Sequence, residues 1–188
     1  MSQRILYGVM TLVAAVCLSA ASAVANPRTL GILNQKAPQW LITDWFHLPK
    51  GKTTLDIGDF KGKVIYLYCF QSWCPGCHSH GFPTLQHLTR HYVDNLEVAF
   101  VAVQTTFEGY SVNTLDKAKT TMAQYQLTIP TGQSGGREAG SALMRTYRTG
   151  GTPWTIIIDK NGVVRYNHFH IDAEQAIQFI DQLRQTPM

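Results

Sequence analysis

The sequence predicts a three-layer α/β/α sandwich around a mixed central sheet. Two observations carry that prediction. Two apolar runs, Val64 to Phe70 and Leu96 to Val103, flank a helix with one apolar face, and strands joined by a helical crossover run parallel. Two later runs, Trp154 to Asp159 and Val163 to Phe169, are joined by Asn161-Gly162, a dipeptide that favours a tight antiparallel hairpin. Parallel and antiparallel pairs in one chain make the sheet mixed. The predicted order is β-α-β, a helical insertion, then β-β-α.

The elements follow from residue type. Residues 26–62 are polar and turn-rich with aromatic anchors at Trp40, Trp45 and Phe46, and read as an N-terminal extension. Val64 to Phe70 is continuous apolar, β-branched and aromatic chain, the mark of a strand buried on both faces. A helix is expected from about Cys74 to Tyr92, with Leu85, Leu88 and Tyr92 on one face, and Pro83 should kink it. Leu96 to Val103 is the second buried strand. Thr114 to Tyr125 reads as a helix, Ser134-Gly135-Gly136 as a loop, and Ala139 to Tyr147 as a short helix. Ala176, Ile177, Ile180 and Leu183 supply the apolar face of the last helix. No repeat or linker divides residues 26–188, which read as one domain.

Composition narrows the function classes. The chain has 188 residues, of which 45% are hydrophobic and 15% charged, enough apolar matter for a core and too little charge for disorder. The net charge is +4 without a basic run, so nucleic-acid binding has no footing. A coiled coil, a collagen, a low-complexity tail and a multi-pass membrane protein are excluded. Residues 1–25 have the layout of a cleavable secretory signal peptide. Arg4 precedes the apolar stretch Ile5 to Ala21, and Ala23-Val24-Ala25 offers a cleavage site before Asn26. An uncleaved membrane anchor is the alternative. Cys17 lies inside this stretch and fits no lipoprotein acylation box. The expected location is periplasmic or secreted, where disulfides persist. Cys69, Cys74 and Cys77 then remain, too few for a disulfide-built scaffold and free for chemistry.

The chemistry concentrates at Trp73-Cys74-Pro75-Gly76-Cys77, after the first buried strand and at the opening of a helix. Unpaired backbone N–H groups and the helix dipole stabilise a thiolate there. They lower the pKa of Cys74 below the free value of about 8.5. Cys77, one turn on, is placed to attack a mixed disulfide on Cys74 and release the partner. Pro75 suits a first helical turn. Other readings compete. A zinc site would need a second ligand pair, and His87 and His91 lie two or more turns further along the same helix. Cys74-Pro75-Gly76-Cys77-His78 is a C-x-x-C-H string, the attachment pattern of c-type haem. A purely structural bridge is the third. Far downstream, Gly150-Gly151-Thr152-Pro153-Trp154 opens a strand, where a proline sacrifices no central ladder bond.

With these pieces together the chain resembles the thioredoxin superfamily, and most closely the TlpA-like exported thiol–disulfide oxidoreductases. The resemblance covers nearly all of 36–185. It rests on Ala37-Pro38, on Lys61-Gly62-Lys63-Val64 leading into the first strand, and on Trp73-Cys74-x-x-Cys77. Gly151-Thr152-Pro153 and Ile158-Asp159-Lys160-Asn161-Gly162 complete it. The family implies a thioredoxin fold, Cys74 as nucleophile and Cys77 as resolving cysteine. It implies a cis Thr152–Pro153 bond beside them, with Pro153 presenting substrate and keeping metals off the thiols, and the Thr152 backbone pairing with a substrate strand. No cofactor or metal is needed. The implied partners are exported proteins with Cys pairs, with a membrane thiol–disulfide reductase as electron donor.

Several positions depart from the family pattern. Tyr68 stands where thioredoxins carry a buried Asp. His80 stands where TlpA-like reductases often carry an acid. Pro83 falls six residues after the second cysteine instead of five, and the middle pair is Pro-Gly instead of Gly-Pro. The direction of electron flow stays open. A thiol peroxidase is the runner-up, because one peroxiredoxin subgroup places its peroxidatic cysteine in a Thr-Pro-Gly-Cys stretch, which would make Cys77 that residue. Here Cys74 replaces the Thr, and Phe70 stands where a Pro is expected. His80 and Glu108 are candidate acid/base groups, although a solvated helix face and an exposed loop explain them more simply. Trp73 is expected to shield the cysteines and contact partners. Trp154 serves either that purpose or core packing. Cys69 reads as a buried, inert thiol, and Tyr147 and Arg148 have no assigned role.

Overall fold

The computed structural model describes residues 29–42 and 44–187. The expected signal peptide, with Cys17, lies outside the described residues. Six strands form one sheet in the order β1-β4-β3-β2-β5-β6. They are β1 (Asp44–Phe46), β2 (Val64–Phe70), β3 (Val98–Thr105), β4 (Thr131–Ser134), β5 (Trp154–Ile158) and β6 (Val164–His168). The helices are α1 (Phe82–His91), α2 (Leu115–Gln124), α3 (Ala142–Tyr147) and α4 (Ala173–Gln185). β2 pairs with β3 in parallel and with β5 antiparallel, and β5 pairs antiparallel with β6, so the sheet is mixed.

All seven residues of β2 are buried because both faces of the strand are covered. Val64, Tyr66, Tyr68 and Phe70 point into a core shared with Phe82, Leu85 and Leu88 of α1, Ala118 and Met122 of α2, and Ala176 and Ile180 of α4. Ile65, Leu67 and Cys69 point the other way, against Trp40, Ile42 and Leu55 of the N-terminal extension and Leu143 and Tyr147 of α3. This alternation is the period-2 geometry of a strand between two apolar layers. The helices start on side-chain caps, Thr114 on α2, Ser141 on α3 and Asp172 on α4, each accepting a backbone N–H of the first turn.

Two features correct the expectation. The segment between β3 and β5 is not wholly helical. β4 lies within it, running parallel to β3 and antiparallel to β1, which itself sits inside the supposedly irregular extension. The expected helix from Cys74 does not bend at Pro83 in the ordinary way. It opens at Cys77–Gly81 into one wide turn, in which the Phe82 N–H donates to the Cys77 carbonyl five residues back. That turn absorbs the one-residue displacement of Pro83, which then sits in the first turn of α1, where a missing N–H costs nothing.

The outer side of β6 is met by the extension. Lys36 bridges to Val163, the Asn34 N–H donates to the Val164 carbonyl at 2.9 Å, and the Val164 N–H donates to the Gln35 carbonyl at 2.9 Å.

Candidate functional site

The end of β2, the turn after it and the loop before β5 converge on Cys74 and Cys77. Both thiols are free. Cys74 is 7% exposed and Cys77 fully buried beneath it, so only Cys74 reaches the rim of the site. The backbone N–H of Cys77 donates to the Cys74 sulfur at 3.3 Å, as expected of an atom placed over a helix start. The Cys74 Sγ also lies 3.4 Å from the Thr152 carbonyl. The Thr152–Pro153 peptide is cis. Gly76 lets Pro153 approach, because a Cβ there would lie 3.1 Å from the proline Cδ.

These contacts split the two thiols electrostatically. Cys74 is brought down to about 5, mainly by a hydrogen bond from the Cys77 thiol, with help from Thr152 and the backbone of Cys77 and Gly76, and against burial. Cys77 is driven far up, first by burial and then by donating to Cys74. One proton shared between two sulfurs is thus held on the inner one.

The surroundings fix the turn. The Ser72 N–H donates to Gln104 Oε1 at 3.0 Å and the Trp73 N–H to Asn113 Oδ1 at 3.4 Å. Gln104 Nε2 in turn donates to Gln133 Oε1 at 2.8 Å, so the polar side chain of β4 belongs to the support of the site. Trp73 is half exposed, with its indole N–H on Gln71 Oε1 at 2.8 Å. Val112 and Trp73 both pack at Gly109, and Phe169 covers Gly151, with Val112 and Phe169 both exposed. Exposed apolar side chains thus flank the two segments that carry Cys74 and Thr152.

Other candidate residues fall in different places. His80 is exposed and its ring faces that of His170, with centroids 5.9 Å apart. Glu108 is exposed on the loop after β3, and its carbonyl accepts from Asn113 Nδ2 at 3.1 Å. His87 and His91 are exposed on α1. Trp154 is fully buried, with its indole N–H on Asn167 Oδ1 at 2.6 Å, and so packs the core. Cys69 is fully buried and its thiol is pushed up by burial alone.

His78 is a supporting group that the sequence alone did not identify. Its Nε2 lies 2.7 Å from the Ser72 carbonyl and must donate to it, while Nδ1 lies 2.8 Å from the Tyr125 hydroxyl. The C-x-x-C-H string was its only signal and pointed to haem. Both ring nitrogens are instead engaged in tying the turn to the end of α2. Among the described residues, no group of three or more His, Cys, Asp or Glu side chains gathers to hold a metal ion.

The model of the Redoxin family matches residues 33–179. The thiol-disulfide oxidoreductase ResA of Bacillus cereus is 26% identical over 138 residues, covering 70% of this chain and 66% of that protein. ResA of Bacillus thuringiensis subsp. konkukian is 27% identical over 132 residues, with the same shares. The matched region thus spans just under two thirds of these relatives. Among solved structures, a thioredoxin-like superfamily protein is 32% identical, with a TM-score of 0.72 over 81% of this chain and 97% of the other. A thiol-disulfide isomerase from Corynebacterium glutamicum is 26% identical, with a TM-score of 0.69 over 84% and 98%. With a match running from the N-terminal extension into α4, and solved structures of similar fold, this chain belongs to the redoxin family of the thioredoxin superfamily and is TlpA-like.

Proposed function

We propose that this protein is an exported thiol–disulfide oxidoreductase that reduces disulfides in partner proteins through Cys74 and Cys77. The single observation that carries the reading is the split of the pair, with Cys74 at the rim and brought down to about 5 while Cys77 beneath it keeps its proton. At neutral pH Cys74 is a thiolate and the attacking sulfur. It forms a mixed disulfide with one sulfur of the partner's bond and expels the other as a thiolate, which takes a proton from solvent. Cys77 then attacks the Cys74 sulfur, the Cys74–Cys77 bond forms, and the second partner sulfur leaves as a thiol carrying the proton of Cys77. Two electrons pass to the partner, and an exported dithiol needs them restored, for which a membrane thiol–disulfide reductase is the fitting donor.

The closeness of the Thr152 carbonyl to the Cys74 sulfur supports a role for the Thr152 backbone and Pro153 in presenting a partner segment, and the exposed apolar side chains of Trp73, Val112 and Phe169 suit a protein partner better than a small polar one. Residues 1–25 are read as the cleavable signal peptide, with 26–188 as the exported domain. No helix among the described residues is long and apolar enough to cross a membrane. A peroxidatic Cys77 is disfavoured by its burial and its retained proton, since peroxide needs an accessible thiolate.

The test is an equilibrium titration of residues 26–188 in glutathione buffers, with the Cys74–Cys77 bond followed by mass spectrometry. The bond should form as a single two-electron couple. A midpoint near or below about −270 mV marks a reductant, and one towards about −120 mV an oxidant. A protein in which the two cysteines never bond to each other overturns the reading.

A further inference from the structure

The Tyr68 side chain is fully buried in the core cluster that also holds Cys77, stacked on Phe70 and edge-on to Phe82. Its hydroxyl closes no hydrogen bond of regular geometry among the described residues. A buried hydroxyl without a partner is costly, of order 1–3 kcal/mol. The fold nevertheless makes room for it. A Cβ on Gly81 would lie 2.0 Å from the hydroxyl oxygen, so the phenol tip occupies the space left by that missing side chain. Gly81 closes the wide turn that begins at Cys77. The hydroxyl therefore sits inside the turn carrying the inner cysteine, near enough for Cys77 and Tyr68 to influence each other's ionisation.

We propose that the Tyr68 hydroxyl is a positioning donor for Cys77, idle while Cys77 is a thiol and hydrogen-bonded to its sulfur as negative charge develops there during release of the mixed disulfide. This rests on the oxidoreductase reading. A phenol so deeply buried keeps its own proton, because burial pushes its ionisation well above the ordinary range. It is therefore a donor and not a base. The proton that Cys77 loses ends on the leaving partner thiol, and the hydroxyl hydrogen stays on Tyr68. The charged or titratable groups acting on Tyr68 are Cys77 and Cys74 from the turn and Tyr66 from its own strand. Tyr68 has no part in lowering Cys74, which is held by Cys77, Thr152 and Gly76. The donor thus acts on the second chemical step and not on the first.

Tyr68→Phe isolates the hydroxyl. The reduced protein is mixed with an aromatic disulfide reagent whose thiolate is coloured. The first thiolate is released when Cys74 attacks, and the second when Cys77 displaces it. A hydrogen bond to a charged sulfur predicts a second phase slowed about tenfold or more, with the first phase unchanged. The apparent pKa governing the second phase should rise. Thermal stability should hold or increase, because an unpartnered buried hydroxyl has been removed. A second phase at the wild-type rate and with the wild-type pH profile overturns the role of Tyr68 and leaves the oxidoreductase reading standing. Release of only one thiolate per wild-type protein overturns both, since there is then no resolving step to assist.

Discussion

Inside β2, Cys69 packs in an apolar layer, and burial alone raises its pKa. Just past the strand end, Cys74 is nearly as enclosed, yet a backbone N–H, a second thiol and Thr152 surround its sulfur and lower its pKa to about 5. Burial is thus a poor guide to the reactivity of a thiol in this chain. What separates the two is the supply of donors. A strand interior spends its N–H groups on the ladder, whereas a helix start leaves several unspent.

The largest effect should come from removing one cysteine of each kind. Cys74→Ser should abolish disulfide exchange, while Cys69→Ala leaves the exchange rate unchanged, both measured with the coloured disulfide reagent. Loss of activity in the second variant would erase the contrast. Next, alkylation of Cys74 should be flat above about pH 6.5 and fall about tenfold for each pH unit below 5, while Cys69 is alkylated only in the unfolded protein. Mass mapping of the labelled sites at each pH checks both halves.

Gly81→Ala places a methyl on the Tyr68 hydroxyl and should cost about 1–3 kcal/mol by denaturant unfolding, the range for overpacking a core. A smaller effect sharpens the electrostatic half of the contrast. Because the folded pKa of Cys74 is depressed, its contribution to the stability of the reduced protein is complete above the unfolded value of about 8.5 and is lost as pH falls through about 5. The stability gap between reduced wild type and Cys74→Ser should shrink over that window. The gap between wild type and Cys69→Ala, about 1 kcal/mol from a small cavity, should not move with pH below about 7.5, and should narrow above about 8.5, where the unfolded thiol ionises and the buried one does not.

Much of the frame was legible in sequence because its signals are local. A seven-residue apolar run makes a central strand wherever it lies, Asn161-Gly162 makes a hairpin, and Cys74 to Cys77 fits one helical turn. β4 escaped because Thr131-Gly132-Gln133-Ser134 is a strand by partnership and not by composition. It pairs on both sides, and Gln133 is polar because it bonds Gln104 and Thr106. The wide turn at Cys77–Gly81 has no compositional mark, and its trace was the late position of Pro83. His78 was visible only as the end of the competing C-x-x-C-H string, since the Ser72 carbonyl and the Tyr125 hydroxyl that hold it come together only in the folded chain.

The bridge from the N-terminal extension to β6 bears on how the molecule behaves in a crowd. An open sheet is a template for pairing with other chains wherever an edge offers a long row of unbonded N–H and C=O groups. Here Asn34, Gln35 and Lys36 occupy the start of one edge, and the other edge ends in β1, only three residues long. Both flanks are thereby blunted against aggregation by strand addition, while the exposed apolar side chains flanking the Cys74 and Thr152 segments remain open to visitors.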